Sequence, residues 1–160
     1  MYRPDLVDVW PFRVDRSGSP EILLMRRAPG RILAGLWQGV SGSLEPDETI
    51  VAGALRELRE ETGFGADDLE AIYDLDQVNQ FHEPSLDAVV TATVFAVRVG
   101  ERAEPSLSPE HDDLRWLGPA AALDLIVWPA YRESLVRIER DLLDPAREPW
   151  FRLRPDGSRW

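Results

Sequence analysis

The sequence predicts a single α/β domain. Three observations carry that expectation. Apolar runs of strand length recur at 5–14, 20–27, 69–78 and 88–99. Between the second and third runs, Ile50, Ala54, Leu55 and Leu58 recur at helical spacing, and helical segments are expected again at the end of the chain. At 160 residues, with no linker, internal repeat or low-complexity stretch, the chain has the size of one domain able to bury its own core.

Taken in order, residues 5–14 (DLVDVWPFRV) and 20–27 (PEILLMRR) read as two strands joined by the turn-rich Asp15–Ser19. Pro11 inside the first run suggests an edge or a bulge, because proline cannot donate to a ladder. Residues 28–36, with Pro29, Gly30 and Gly35, read as a loop, and Trp37 to Val40 as a short strand. The helix after it has Thr49 as N-cap and Gly63 as the residue that ends it. Gly53 in its middle costs roughly 1 kcal/mol against alanine, which a close backbone approach would explain. Two strands follow at 69–78 and 88–99, separated by a loop at 79–87 that holds Phe81, His82 and Pro84. A polar loop at 100–110 leads to a short strand at 114–117. Helices at 119–125 and 129–143 begin on Pro119 and Pro129, where the missing N–H has no cost. The domain is expected to span 1–143, and residues 144–160 form an arm, docked or loose.

Composition excludes several chemistries. There is no Cys, which removes disulfides, thiolate nucleophiles and zinc–sulfur sites. All 18 basic residues are Arg, so Schiff-base chemistry and a P-loop lysine are excluded. His82 and His111 alone are too few for a multi-histidine metal site. The 29 acidic residues leave a net charge of −11, which repels a nucleic-acid backbone and suits hard, oxygen-preferring cations such as Mg²⁺. With no apolar run long enough to span a membrane and no signal-like N-terminus, a cytoplasmic protein is the expectation.

The segment GSLEPDETIVAGALRELREETGF concentrates the chemistry. On a helix Glu57, Glu60 and Glu61 stand at i, i+3 and i+4, so three carboxylates share one face. They repel one another and sit at the end of the helix where its dipole disfavours anions. Divalent cations would relieve both penalties; a solvated acidic face laced with Arg56 and Arg59 is the other reading.

This segment resembles the Nudix box, G-x₅-E-x₇-R-E-U-x-E-E-x-G-U, at every position from Gly42 to Phe64. The resemblance implies an α/β/α sandwich with a mixed central sheet and a loop–helix–loop metal site. It implies Mg²⁺, with Mn²⁺ as a substitute, held by Glu57 and Glu61, with Glu60 a further ligand or outer partner and the Gly42 carbonyl completing the shell. Arg56 and Glu48 would be the pair that orients the ligands. The activity implied is hydrolysis of a diphosphate linkage in a small nucleotide-like substrate. The stretch WQGVSGSLE and the run Ser108–Trp116 are similar to the branch of the family that cleaves dihydroneopterin triphosphate and deoxynucleoside triphosphates, releasing pyrophosphate and a monophosphate. By that likeness Glu110 is a metal ligand, Arg26 contacts phosphate, Ser41 lies at the substrate, and Trp37 is either a ring platform or core packing. Diadenosine polyphosphate or ADP-ribose hydrolysis are the alternatives, and a non-catalytic nucleotide-binding module is the remote one. A homodimer is compatible with the sequence.

Overall fold

The computed structural model describes residues 3–160. Its strands are β1 (Leu6–Val14), β2 (Pro20–Arg27), β3 (Trp37–Gln38), β4 (Val40–Ser43), β5 (Leu69–Glu83), β6 (Ala88–Val99), β7 (His111–Leu117) and β8 (Arg152–Leu153). Its helices are α1 (Ile50–Thr62), α2 (Pro119–Leu125), α3 (Pro129–Arg137) and α4 (Glu148–Phe151), and α3 runs on through a π turn at Ile138–Leu142. The strands form one mixed sheet in the order β3-β2-β1-β6-β5-β8, with β4 also on β1 and β7 also on β2. Among the described residues only β1 and β6 pair in parallel.

Alternation along the strands gives the sheet two apolar faces, as a sheet covered on both sides requires. Val7, Val9, Leu23 and Met25 pack with Ala54 and Leu58 of α1 on one face. Trp10, Phe12, Ile22 and Leu24 pack with Ala122 of α2 and Leu135 of α3 on the other. This is the α/β/α sandwich.

Pro11 corrects the expectation of an edge, since β1 is central. On the edge away from β6, β1 pairs with β4 as far as Val9 and with β2 from Phe12 onward. Pro11 falls in the gap between those two ladders, which is how an interior strand tolerates it. The segment 37–43 makes the matching step from β2 to β1, with Gly39 at the crossing. A side chain there would press on the Val9 carbonyl oxygen at 2.7 Å and on the Trp10 ring.

Two boundaries also differ from expectation. β5 continues to Glu83, so Phe81 and His82 lie on a strand and not in a loop. Its buried positions there carry Gln77 and Asn79, which are satisfied inside the fold: Gln77 Nε2 donates to Asn79 Oδ1 at 2.8 Å, and Asn79 Nδ2 to Asp8 Oδ2 at 3.1 Å. β7 begins at His111 because Asp112 and Asp113 pair with arginines across and along the sheet.

The segment 144–160 is docked. β8 pairs with β5, Leu153 enters the α1-side core, and Phe151 packs against the core on the opposite face. The Tyr73 hydroxyl donates to Glu148 at 2.7 Å, and Arg159 pairs with Asp74 at 2.8 Å.

Candidate active site

Local sequence builds the site around the start and end of α1. Thr49 adopts extended backbone and its hydroxyl accepts from Ala52 N–H at 3.2 Å, while Gly63 closes the helix at φ 76. With Ala54 and Leu58 turned into the core, Glu57, Glu60 and Glu61 are left on the rim. Gly53 is required as the sequence suggests: a Cβ there would overlap the Leu44 side chain and lie 2.7 Å from Glu48 Oε1.

Arg56 is the hub. It makes a two-pronged pair with Glu48 at 2.7 and 3.1 Å, and it donates to the Ser43 carbonyl at 2.8 Å. Its remaining nitrogen reaches Glu57 Oε1 at 2.7 Å and Glu60 Oε2 at 3.3 Å. Glu48 also accepts the Glu45 N–H, and these bonds, that of Arg56 first, hold its carboxyl down at about 2. Arg56 and Glu48 therefore brace the β4–α1 loop against the helix, and the Arg56 bonds to Glu57 and Glu60 fix where those carboxylates point.

Glu61 is the opposite case. Only 5% of its side chain is exposed, one oxygen accepts the Ser41 N–H, and Oε2 has no hydrogen-bond partner. Burial, then the charges of Glu57 and Glu110, push its carboxyl up to about 8. Burial also raises Glu57, against the pull of Arg56. Both shifts mark carboxylates for which this fold supplies too little positive charge.

Glu57, Glu60, Glu61 and Glu110 line one cleft of about 330 Å³ together with Arg31, Ser108 and Pro109. Glu110 comes from the turn before β7, and its carbonyl accepts the Ala28 N–H at 2.8 Å, tying that turn to the 28–36 loop. Gly42 of β4 lies against Glu57, where a Cβ would occupy the space of the Glu57 carboxylate.

As they stand, no three carboxylate or imidazole groups among the described residues are close enough together to enclose an ion. The donor chemistry nevertheless fits a hard cation: four carboxylates on one cleft, a buried orphan oxygen on Glu61, and a glycine cradle under Glu57.

The residues expected at the substrate are placed differently from one another. Arg26 is not at the cleft: it pairs with Asp112 at 2.8 and 3.1 Å, with its guanidinium 5.8 Å from the Trp37 ring centre. Arg115 stands over the same ring at 4.7 Å, and Trp37 packs against the core on the α2–α3 face. Ser41 uses its backbone for Glu61 and its hydroxyl for the buried Asp8 and Tyr131. Burial holds Asp8 up at about 6 against these bonds. Besides Arg56, two further arginines bear on the carboxylate cluster: Arg27, whose charge reaches Glu61 and His111, and Arg31 on the cleft wall. Strand alternation distinguishes Arg27 from Arg26, but a register shift between them leaves the outcome to the fold.

Residues 4–138 match the family model for the NUDIX domain. The chain belongs to the NUDIX family. CTP pyrophosphohydrolase of Escherichia coli is 30% identical over 125 residues, which cover 78% of this chain and 85% of the relative. An octanoyltransferase of Myxococcus xanthus is 35% identical over 124 residues, 76% of this chain, but the chain spans only 33% of that protein's length. The dihydroneopterin triphosphate pyrophosphohydrolase structure from E. coli superposes with a TM-score of 0.69 at 24% identity, covering 83% of this chain and 92% of that one, a likeness of fold. Among the described residues no helix is long and apolar enough to cross a membrane.

Proposed function

We propose that this NUDIX chain is a Mg²⁺-dependent pyrophosphohydrolase of a nucleoside triphosphate or of dihydroneopterin triphosphate, releasing pyrophosphate and a monophosphate. The observation that carries the reading is the convergence of Glu57, Glu60, Glu61 and Glu110 on one cleft walled by Arg31. The kinship with a CTP pyrophosphohydrolase along 85% of that relative's length supports a nucleotide substrate.

In this reading Glu57, Glu61, Glu60, Glu110 and the Gly42 carbonyl hold Mg²⁺, or Mn²⁺ in its place. The bound ion supplies charge neutralisation of phosphate oxygens and a lowered pKa for the attacking water. The chain supplies positioning, which phosphoryl transfer chiefly requires. Arg56 fixes the orientation of Glu57 and Glu60, and the Ser41 N–H fixes one oxygen of Glu61. Arg31, on the cleft wall, takes the phosphate-facing role in this reading, while Arg26, to which the resemblance gives that role, pairs with Asp112. Water adds to one phosphorus, the bridging P–O bond breaks, and the proton lost by the water leaves to solvent.

The test is a panel of nucleoside and pterin triphosphates, dinucleoside polyphosphates and nucleotide sugars, with products identified at fixed Mg²⁺. Pyrophosphate and a monophosphate in equal amounts are expected from a triphosphate. Turnover undiminished in excess chelator, or release of orthophosphate alone, overturns the reading.

A further inference from the structure

His111 opens β7, immediately after Glu110, and its side chain is 0% exposed. A buried imidazole ordinarily donates from one nitrogen and accepts at the other. Here neither ring nitrogen has a partner. The nearest acidic atom is Glu61 Oε2, at 3.8 Å from Nε2, and that oxygen is the one that also lacks a partner. Two buried polar groups thus face each other just beyond hydrogen-bond range, where a closure of about 1 Å would pair Nε2 with Oε2. Leaving them unmet costs the desolvation of each.

We infer that His111 is a positioning residue for the carboxylate cleft: its Nε2–H steadies Glu61, and its burial anchors the turn that presents Glu110. One side chain would then couple a carboxylate on α1 to one on a distant loop. The backbone agrees, since the His111 N–H closes the turn on the Ser108 carbonyl at 3.2 Å and Glu110 is tied to Ala28 one residue earlier. The inference rests on the metal-site reading above and adds to it a residue outside the Nudix box.

The test compares His111→Met, which keeps volume and loses the donor, with His111→Gln, whose amide nitrogen falls near Nε2. Two quantities are read on the full chain: the rise in thermal midpoint on adding Mg²⁺ alone, and the Mg²⁺ concentration giving half-maximal hydrolysis. His111→Met should raise that concentration about tenfold, as loss of an outer partner of a metal site does. It should also shrink the Mg²⁺-induced rise without lowering the metal-free midpoint. His111→Gln should stay within about threefold of wild type. Equal behaviour of the two variants, or wild-type Mg²⁺ response in His111→Met, overturns the inference. If His111→Met does not fold, His111→Asn replaces it, because its shorter amide cannot reach the Nε2 position. A wild type whose midpoint rises with Mg²⁺ but which hydrolyses nothing in the panel fails the substrate reading alone. A wild type whose midpoint ignores Mg²⁺ overturns the role of His111.

Discussion

Glu57 sits between two constraints that pull on one carboxylate. Arg56 holds Oε1 at 2.7 Å, and Gly42 leaves the space into which the rest of the group fits. The side chain is 13% exposed, enough to reach the cleft and too little to be hydrated freely. Glu57→Gln keeps the shape and removes the charge. It should lower kcat at least about a hundredfold, beyond what an outer partner supplies, while the thermal midpoint holds. Equal loss of both would assign Glu57 to the fold. Gly42→Ala reaches the same carboxylate from the other side: the added methyl must displace Glu57, so activity should fall while circular dichroism stays native. Glu110→Gln separates a ligand from one more surface acid. A tenfold or larger loss of kcat, with a raised Mg²⁺ requirement, is expected of a metal-site partner. Asp112→Asn and Asp113→Asn are the controls, because those acids are occupied by Arg26 and Arg115. If either control collapses activity while Glu110→Gln does not, the assignment of the loop is wrong.

At the scale of elements, α1 was legible because its signals are local. A capping threonine, a terminal glycine and a 3.6-residue apolar period lie in one stretch, and the carboxylates follow from the same period. Gly53 was legible as a close approach, and Gly53→Ala tests it. The substitution gains about 1 kcal/mol of helix propensity but places a methyl against Leu44 and Glu48. The thermal midpoint should fall or stay level; a clear rise would show that the approach is not tight. Elsewhere the pattern misled for physical reasons. The second half of β5 carries Gln77 and Asn79 on its buried face, so the alternation that marks a strand is inverted there. Their partners, Asp8 and Ser134, lie 71 and 57 residues away, and no local window contains them. Likewise β7 carries two aspartates directly after its first residue, and their arginine partners make them tolerable on a strand. Glu110 is carried by resemblance, but its approach to α1 depends on a turn fixed by Ala28 and Ser108.

At the scale of the whole molecule, a chain of net charge −11 must place its positive charge economically. Three of its arginines, Arg147, Arg152 and Arg159, tie the last seventeen residues to the sandwich. Arg140 and Arg147 both clamp Asp141 in the π turn, at 2.7, 3.0 and 2.8 Å, just where the chain leaves α3 for the arm. Those bonds, that of Arg140 first, lower the Asp141 carboxyl from 3.8 to about 2. The sign of the pH dependence follows. With its folded pKa depressed, Asp141 stabilises the native state fully above its unfolded value of 3.8, and that contribution disappears as pH falls through about 2. Asp141→Asn never has the charge. At pH 6 it should therefore melt below wild type by about 2–4 °C, the shift expected for about 1 kcal/mol in a chain of this size. Between pH 4 and pH 2 the wild type should lose that advantage and the two melting curves should converge, even as other carboxylates destabilise both proteins together. A gap that stays constant to pH 2 would mean the clamp acts through packing and not through charge. A gap that closes already by pH 5 would place the pH dependence on a group other than Asp141, whose carboxyl is still ionised there in both states.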